Sequence, residues 1–352
     1  MRVLRILVAA GLAAAVLGGC DRFRTAEPEP VVIPVAPATY SGDLPCASCE
    51  GIRHQLNLLD NDTFMLSREW LGEAGVQVDI GTWEYDVEAN VLTLTEGETV
   101  LMQFERLESG ELRLLDRYGQ PIASELPYEL ARASGFEPLE NMALMNGMFS
   151  YMADAAVITE CKTGKRMPVA MEQGYLDLER AYTGLVEGGG KILVSFVGDI
   201  EPRPAMEGDL NTPTAVVQRY VGIWPVEQCS ANVDDADLYD TYWSIIRLDD
   251  KELAGIPGIR EPRLVLRSQD QLYSATVGCN SISGGYSADA SKVGFEPGRT
   301  TLMACLPPVS PLETALVDAL DRARSWQLAG QYMEFRDLNG EPVALFKSIA
   351  PP

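Results

Sequence analysis

Residues Gly42–Leu58, GDLPCASCEGIRHQLNL, set two cysteines, Cys46 and Cys49, just ahead of a run that places Ile52, His54, Leu56 and Leu58 on one side of a period-two pattern. Such alternation marks a strand with one buried face, and the proline and glycines around the cysteines are turn residues. The stretch reads as loop and strand. A thioredoxin-like couple would instead sit at a helix N-terminus inside a βαβ unit, where the dipole lowers the thiol pKa.

The same rhythm continues outward. LDNDTFML reads as a hairpin turn, GTWEYDVEANVLTL as strand, turn and strand, and LRLLDRYGQPIAS closes the set, which predicts a small antiparallel β-barrel over residues 40–132. After the looser ASGFEPLENMALMNG, residues 147–229 give strands around a turn at Lys162–Lys165, one short helix in GYLDLERAYTGL, then two further strands. That order suits a small OB-type barrel. A polar connector, SANVDDADLYD, leads to a third, mixed α+β unit over residues 239–349. Its helix, SPLETALVDALDRARSW, is expected to start with Ser310 as cap, Pro311 at the first position and Glu313 completing a capping box. The fold is therefore mainly β, in three small domains. LDRYGQPIA and RDLNGEPVA share Asp, Gly, Pro and Ala at identical spacing; an internal duplication would explain this, and turn chemistry, which selects Asp and Gly at such offsets, is the favoured account.

The N-terminus sets the compartment. Arg2 and Arg5 precede the apolar run Ile6–Val16, which is too short to span a bilayer, and LGGC follows at Leu17–Cys20. This is the pattern of a lipoprotein signal peptide, residues 1–19, with Cys20 the lipid-bearing first residue of the mature chain. Each buried acyl methylene contributes about 0.8 kcal/mol, so several chains anchor firmly. Residues 20–39, with Pro28, Pro30, Pro34 and Pro37, form an extended tether reaching roughly 60 Å at about 3.1 Å per residue.

Setting Cys20 aside leaves six of the seven cysteines: Cys46, Cys49, Cys161, Cys229, Cys279 and Cys305. In an oxidising envelope an even set reads as three disulfides; sequence order suggests Cys46 with Cys49, Cys161 with Cys229 and Cys279 with Cys305, although other connectivities stay open.

With 28 basic and 51 acidic residues the chain carries −23, which repels nucleic-acid phosphates and anionic head groups. His54 is the sole histidine, so a Ser-His or Cys-His nucleophile would depend on it alone. SISGG lacks the spacing of a nucleophile elbow, and no glycine-rich phosphate loop follows a strand and opens a helix. We expect no enzyme and no required cofactor. For Cys46 and Cys49 a local disulfide is the favoured reading; the rival is a soft-metal site in which the two thiolates take Cu(I), with His54 or Met65 as a further ligand.

LPCASCEGI, LDNDTF, GTW and LDRYGQPIAS together resemble the N-terminal domain of the NlpE family of envelope lipoproteins. YMADAAVITECKTGKRMPVAME through YVGIWPVEQC is similar to that family's OB-type domain, and YWSIIRLD, VGCNSISGGY and TTLMAC resemble the META/HslJ domain. The resemblance implies a non-enzymatic outer-membrane lipoprotein that activates the Cpx envelope-stress pathway, through a sensor kinase, in response to sorting failure, surface contact, copper or defective disulfide formation. It implies that Cys46 and Cys49 are the metal or redox element and that Cys161–Cys229 is the disulfide of the OB-type domain. Ser48 between the first two cysteines and the appended third domain depart from the family pattern. Asp21 after the lipid cysteine retains lipoproteins at the inner membrane in enteric bacteria, whereas the family points to the outer membrane. A rival from another class is a carrier whose first barrel holds copper or a small apolar ligand.

Overall fold

The computed structural model describes residues 36–72, 76–186, 188–205, 211–229, 235–254, 256 and 261–349. The expected signal peptide, Cys20, Asp21 and most of the tether lie outside them. Among the described residues no helix is long and apolar enough to cross a membrane.

Ala38–Leu44 and Ile52–Leu58 run antiparallel in unbroken register, Ala38 opposite Leu58 and Leu44 opposite Ile52. Thr63–Trp70, Val76–Asp86, Val91–Glu96, Thr99–Arg106, Leu112–Leu114 and Glu129–Arg132 follow in sequence order, and Tyr40 opposite Arg132 returns the last to the first. The closed barrel leaves no unpaired edge. Leu56, Leu58, Phe64, Leu66, Leu92 and Phe104 meet inside it. Tyr40, Phe64 and Phe104 have no accessible surface, so side chains occupy the lumen that an apolar ligand would need.

The second unit starts at Ala143, ahead of the expected residue 147. Asn146 and Gly147, which read as loop residues, are strand residues with special tasks. A β-carbon at Gly147 would lie 2.4 Å from Ile158, so glycine lets the neighbouring strand close in. The strands Ala143–Met152, Ala155–Glu160, Arg166–Pro168, Ile192–Pro204 and Asn211–Trp224 form one five-stranded sheet. A parallel bridge between Val169 and Ala215 brings its two edges together. The helix Tyr175–Thr183 buries Tyr175, Leu178 and Tyr182, which share one face at helical spacing.

In the third unit Tyr242–Leu248, Arg263–Leu266, Leu272–Thr276, Ser281–Asp289, Lys292–Phe295, Ser325–Ala329, Tyr332–Arg336 and Pro342–Ile349 pair in that order, and Tyr242 opposite Ile349 joins the ends. The α+β unit is thus a second closed barrel carrying one helix. That helix, Val309–Arg322, starts earlier than expected: Pro308 holds the cap position without a side-chain bond, and Val309 and Ser310 donate to the Leu306 carbonyl at 3.0 and 3.3 Å. The expected capping box is absent because Glu313 accepts the backbone N–H of Asn280 instead.

The shared LDRYGQPIA and RDLNGEPVA spacing has a local cause. Asp116 Oδ1 accepts from the N–H groups of Tyr118 and Gln120, Asp337 Oδ1 accepts from those of Asn339 and Glu341, and Gly119 and Gly340 take φ of +72° and +81°. Both are the same Asx-type turn, in which only the aspartate and the glycine are demanded.

Candidate functional site

The three cysteine pairs occupy three different settings. Cys46 and Cys49, with Cα atoms 5.3 Å apart, are bonded in the loop between the first two strands, where Ala47, Ser48 and Glu50 are exposed. His54 lies in the strand that follows, 3% exposed, its Nδ1 2.8 Å from the Ile52 carbonyl. Burial holds its pKa down at about 4, assisted by Arg68 and opposed by that carbonyl and by Asp79 and Asp43. His54 does not gather with Cys46 and Cys49 into a three-donor group. Met65 is fully buried in the core of the second domain, with Leu59, Ile80, Phe196 and Ile200 around it, and its Sδ accepts the Ile200 N–H at 3.2 Å. It is a packing residue of the domain interface.

Cys161 and Cys229, with Cα atoms 5.3 Å apart, join the turn after Ala155–Glu160 to the end of the second domain. Glu160, 2% exposed, builds that turn: its Oε1 accepts the Lys162 N–H at 2.9 Å and its Oε2 accepts the Thr163 N–H at 2.8 Å and hydroxyl at 2.7 Å. Burial raises its pKa against these bonds. Lys162, next to Cys161, extends its ammonium to Glu96 of the first barrel and to Asp235, 2.8 Å away, at the entrance to the third. Desolvation opposes the charge on Lys162, but the two carboxylates prevail and raise its pKa. On the other side of the disulfide, Glu227 accepts from the Tyr332 hydroxyl and from Lys347, both in the third barrel. One covalent bond therefore stands between two polar clasps that hold three domains.

Further contacts rim this junction. Asn146 donates from Nδ2 to the Ala329 carbonyl at 2.7 Å and accepts from Ser195 Oγ at 2.5 Å. Trp224 stacks on Tyr332 with ring centroids 4.4 Å apart, and Leu144, Val197, Val221, Ala329 and Leu345 form a shared apolar cluster. Sequence reasoning treated Lys162 as a turn residue and Asp235 as part of a solvated connector. The legible signal was the adjacency of Lys162 to a cysteine, which fixes its backbone.

Cys279 and Cys305, with Cα atoms 6.2 Å apart, tie the third barrel to an otherwise exposed loop. Glu313 lies beside them. Among the described residues, Cys279, Cys305 and Glu313 are the only trio of ligand-type side chains whose donor atoms lie within 4.8 Å of one another.

Sequence models of three families match the chain: the NlpE N-terminal domain over residues 40–125, the NlpE C-terminal OB domain over 139–230 and the META domain over 236–349. Lipoprotein NlpE of Escherichia coli (strain K12) is 36% identical over 203 residues, which is 55% of this chain and 81% of that protein. The chain belongs to the NlpE family. The crystal structure of the Cpx pathway activator NlpE from Escherichia coli aligns at 30% identity and a TM-score of 0.27, covering 55% of this chain and 99% of that one. A putative lipoprotein from Shewanella oneidensis aligns at 31% identity and a TM-score of 0.25, covering 28% and 90%. The two NlpE domains thus carry Cys46–Cys49 and Cys161–Cys229, and the META domain carries Cys279–Cys305.

Proposed function

We propose that this NlpE-family chain is a non-catalytic envelope sensor, anchored through lipid on Cys20, that reports failed oxidation of its second domain to an envelope-stress sensor kinase. The observation that carries this reading is the position of Cys161–Cys229 between the Lys162 and Glu227 clasps. The bond closes a loop with a sequence separation of 68, worth about 4 kcal/mol of unfolded-chain entropy, a large share of the 5–15 kcal/mol typical of a domain. Without it both clasps lose their fixed base, and the buried strand faces at the junction become available to a partner. The relative's description as a Cpx pathway activator supports the choice of partner. The outer membrane is the favoured location; retention at the inner membrane through Asp21 is the alternative, and membrane fractionation separates them.

Copper enters this reading at the other disulfide. Reduced Cys46 and Cys49 offer two soft thiolates on an accessible loop, a donor set suited to Cu(I). Equal Cu(I) affinity of the reduced protein with and without Cys46→Ser and Cys49→Ser would refute that assignment.

The central test is Cys229→Ser in the full-length chain in its host. We expect protease cleavage to appear first in the second domain and stress-pathway output to rise while the first barrel stays intact. Unchanged protease resistance of the second domain, or first cleavage in the first barrel, would overturn the sensor reading.

A further inference from the structure

We propose that the META domain holds a redox-gated site for a zinc-like divalent cation, formed by Cys279, Cys305 and Glu313 once their disulfide is reduced. The inference is independent of the sensor reading, since it concerns a different domain and a different disulfide.

Three donors converge there. Sγ of Cys279, Sγ of Cys305 and a Glu313 oxygen already lie within 4.8 Å of one another. Zinc takes thiolate sulfur at about 2.3 Å and carboxylate oxygen at about 2.0–2.2 Å in a tetrahedron, which needs sulfurs somewhat under 4 Å apart. Cα atoms 6.2 Å apart permit that spacing once the covalent bond is open.

The carboxylate is already aimed. Glu313 projects from the first turns of the helix Val309–Arg322 and accepts both the backbone N–H and the Nδ2 of Asn280, the latter at 3.1 Å. A carboxylate has about four lone-pair positions, so coordination capacity remains. Asn280 also fixes the loop that bears Cys305: its Nδ2 lies 3.0 Å from Cys305 Sγ and 3.1 Å from the Met303 carbonyl, and its Oδ1 accepts from the Met303 N–H and the Thr301 hydroxyl at 2.8 and 2.9 Å. Such outer partners orient the ligands of metal sites. The solvent-facing loop leaves the fourth position to water.

The chemistry balances. A dithiol reductant transfers two electrons and two protons to the Cys279–Cys305 bond and is itself oxidised to a disulfide. The cation then displaces the two thiol protons to solvent. Consequences fall on the loop, where Leu302, Met303 and Leu306 are 96%, 60% and 78% exposed. Oxidised, the loop is held covalently; reduced, the cation takes over the tether and keeps these side chains in place.

The test uses the full mature chain, reduced and freed of reductant without air, with zinc ion as the probe and thiol alkylation read by mass spectrometry. We expect zinc to protect Cys279 and Cys305, with affinity falling at least tenfold in Glu313→Gln while that variant still forms the disulfide on oxidation. Cobalt added to the reduced chain carrying Cys46→Ser and Cys49→Ser should still give thiolate charge-transfer absorption, a readout that leaves Glu313 untouched and excludes the thiolates of the first barrel. Free alkylation of Cys279 and Cys305 at saturating zinc, or unchanged affinity in Glu313→Gln, would overturn the site.

Discussion

Nη2 of Arg219, in the second domain, lies 2.7 and 2.9 Å from the two carboxylate oxygens of Glu334, a side chain of the third barrel with no accessible surface. A buried carboxylate is tolerated only when its charge is met, and Arg336 supplies the other partner at 2.8 Å. Arg219→Ala leaves Glu334 with one of its two cations. We expect a loss of about 1–3 kcal/mol, less than the 3–5 kcal/mol of an orphaned buried charge because Arg336 remains. The loss falls on the interface between domains, so denaturant should resolve two unfolding transitions and protease should cut between the second and third domains sooner. A single transition and wild-type cleavage rates would count against this pair as the coupling.

What the sequence made legible follows from period. Strands buried on one face, such as Val91–Glu96, alternate and can be read, and the Asx turns at Asp116 and Asp337 announce themselves through aspartate and glycine. Strands buried on both faces cannot be read that way. In Thr63–Trp70, Phe64 and Leu66 enter the barrel core while Met65 enters the core of the neighbouring domain, so the run loses its alternation and Met65 looks available as a ligand. The unbroken apolar run was the signal of a second buried face. Long-range partners were beyond reach: nothing local to Glu313 reveals that Asn280 lies against it, or that Lys162 meets Glu96 and Asp235.

Close backbone approach gives a second prediction. A β-carbon at Gly81 would lie 2.2 Å from the Thr95 carbonyl oxygen and 2.7 Å from the Phe64 ring. The carbonyl belongs to the paired strand and cannot swing away as a flexible side chain could. Gly81→Ala should therefore cost the first barrel about 1–3 kcal/mol, the usual penalty of overpacking, and lower its melting temperature without touching the META domain. Wild-type stability of the variant barrel would refute the close fit.

His54 and Asp199 predict opposite pH responses in adjacent domains. Burial holds the His54 imidazole at about 4 against an ordinary 6.5, so between these values the unfolded chain binds a proton that the folded barrel refuses. Its contribution is complete above pH 6.5 and is lost as pH falls toward 4, on the order of 3 kcal/mol in total at about 1.4 kcal/mol per unit. Asp199 is buried, with its carboxylate oxygens accepting the Leu139 and Ile200 N–H groups at 2.8 and 2.7 Å, and burial raises its pKa to about 7. There the folded state keeps a proton that the unfolded chain releases above about 3.8, so the second domain loses stability as pH rises from that value to about 7. Because His54 is the sole histidine, the single imidazole resonance of an untagged chain reads it directly. We expect a midpoint near 4 and a flatter acid limb for the first barrel in His54→Gln; a midpoint between 6 and 7 would show the imidazole to be solvated.

The three disulfides should open in a fixed order. Their sequence separations are 3 for Cys46–Cys49, 26 for Cys279–Cys305 and 68 for Cys161–Cys229. The chain-entropy model assigns them about 2, 3.5 and 4 kcal/mol of stabilisation against the unfolded chain. Surroundings point the same way. Opening Cys46–Cys49 disturbs a loop flanked by exposed residues, whereas opening Cys161–Cys229 frees the turn that Glu160 builds and the clasps at Lys162 and Glu227. In a graded series of thiol–disulfide buffers, differential alkylation should therefore find Cys46 and Cys49 reduced first, Cys279 and Cys305 next and Cys161 and Cys229 last. The gap between the first and last steps should narrow in Lys162→Met, which removes a clasp without touching a cysteine. Simultaneous opening of all three pairs, or first opening at Cys161–Cys229, would mean that the junction does not guard its own bond.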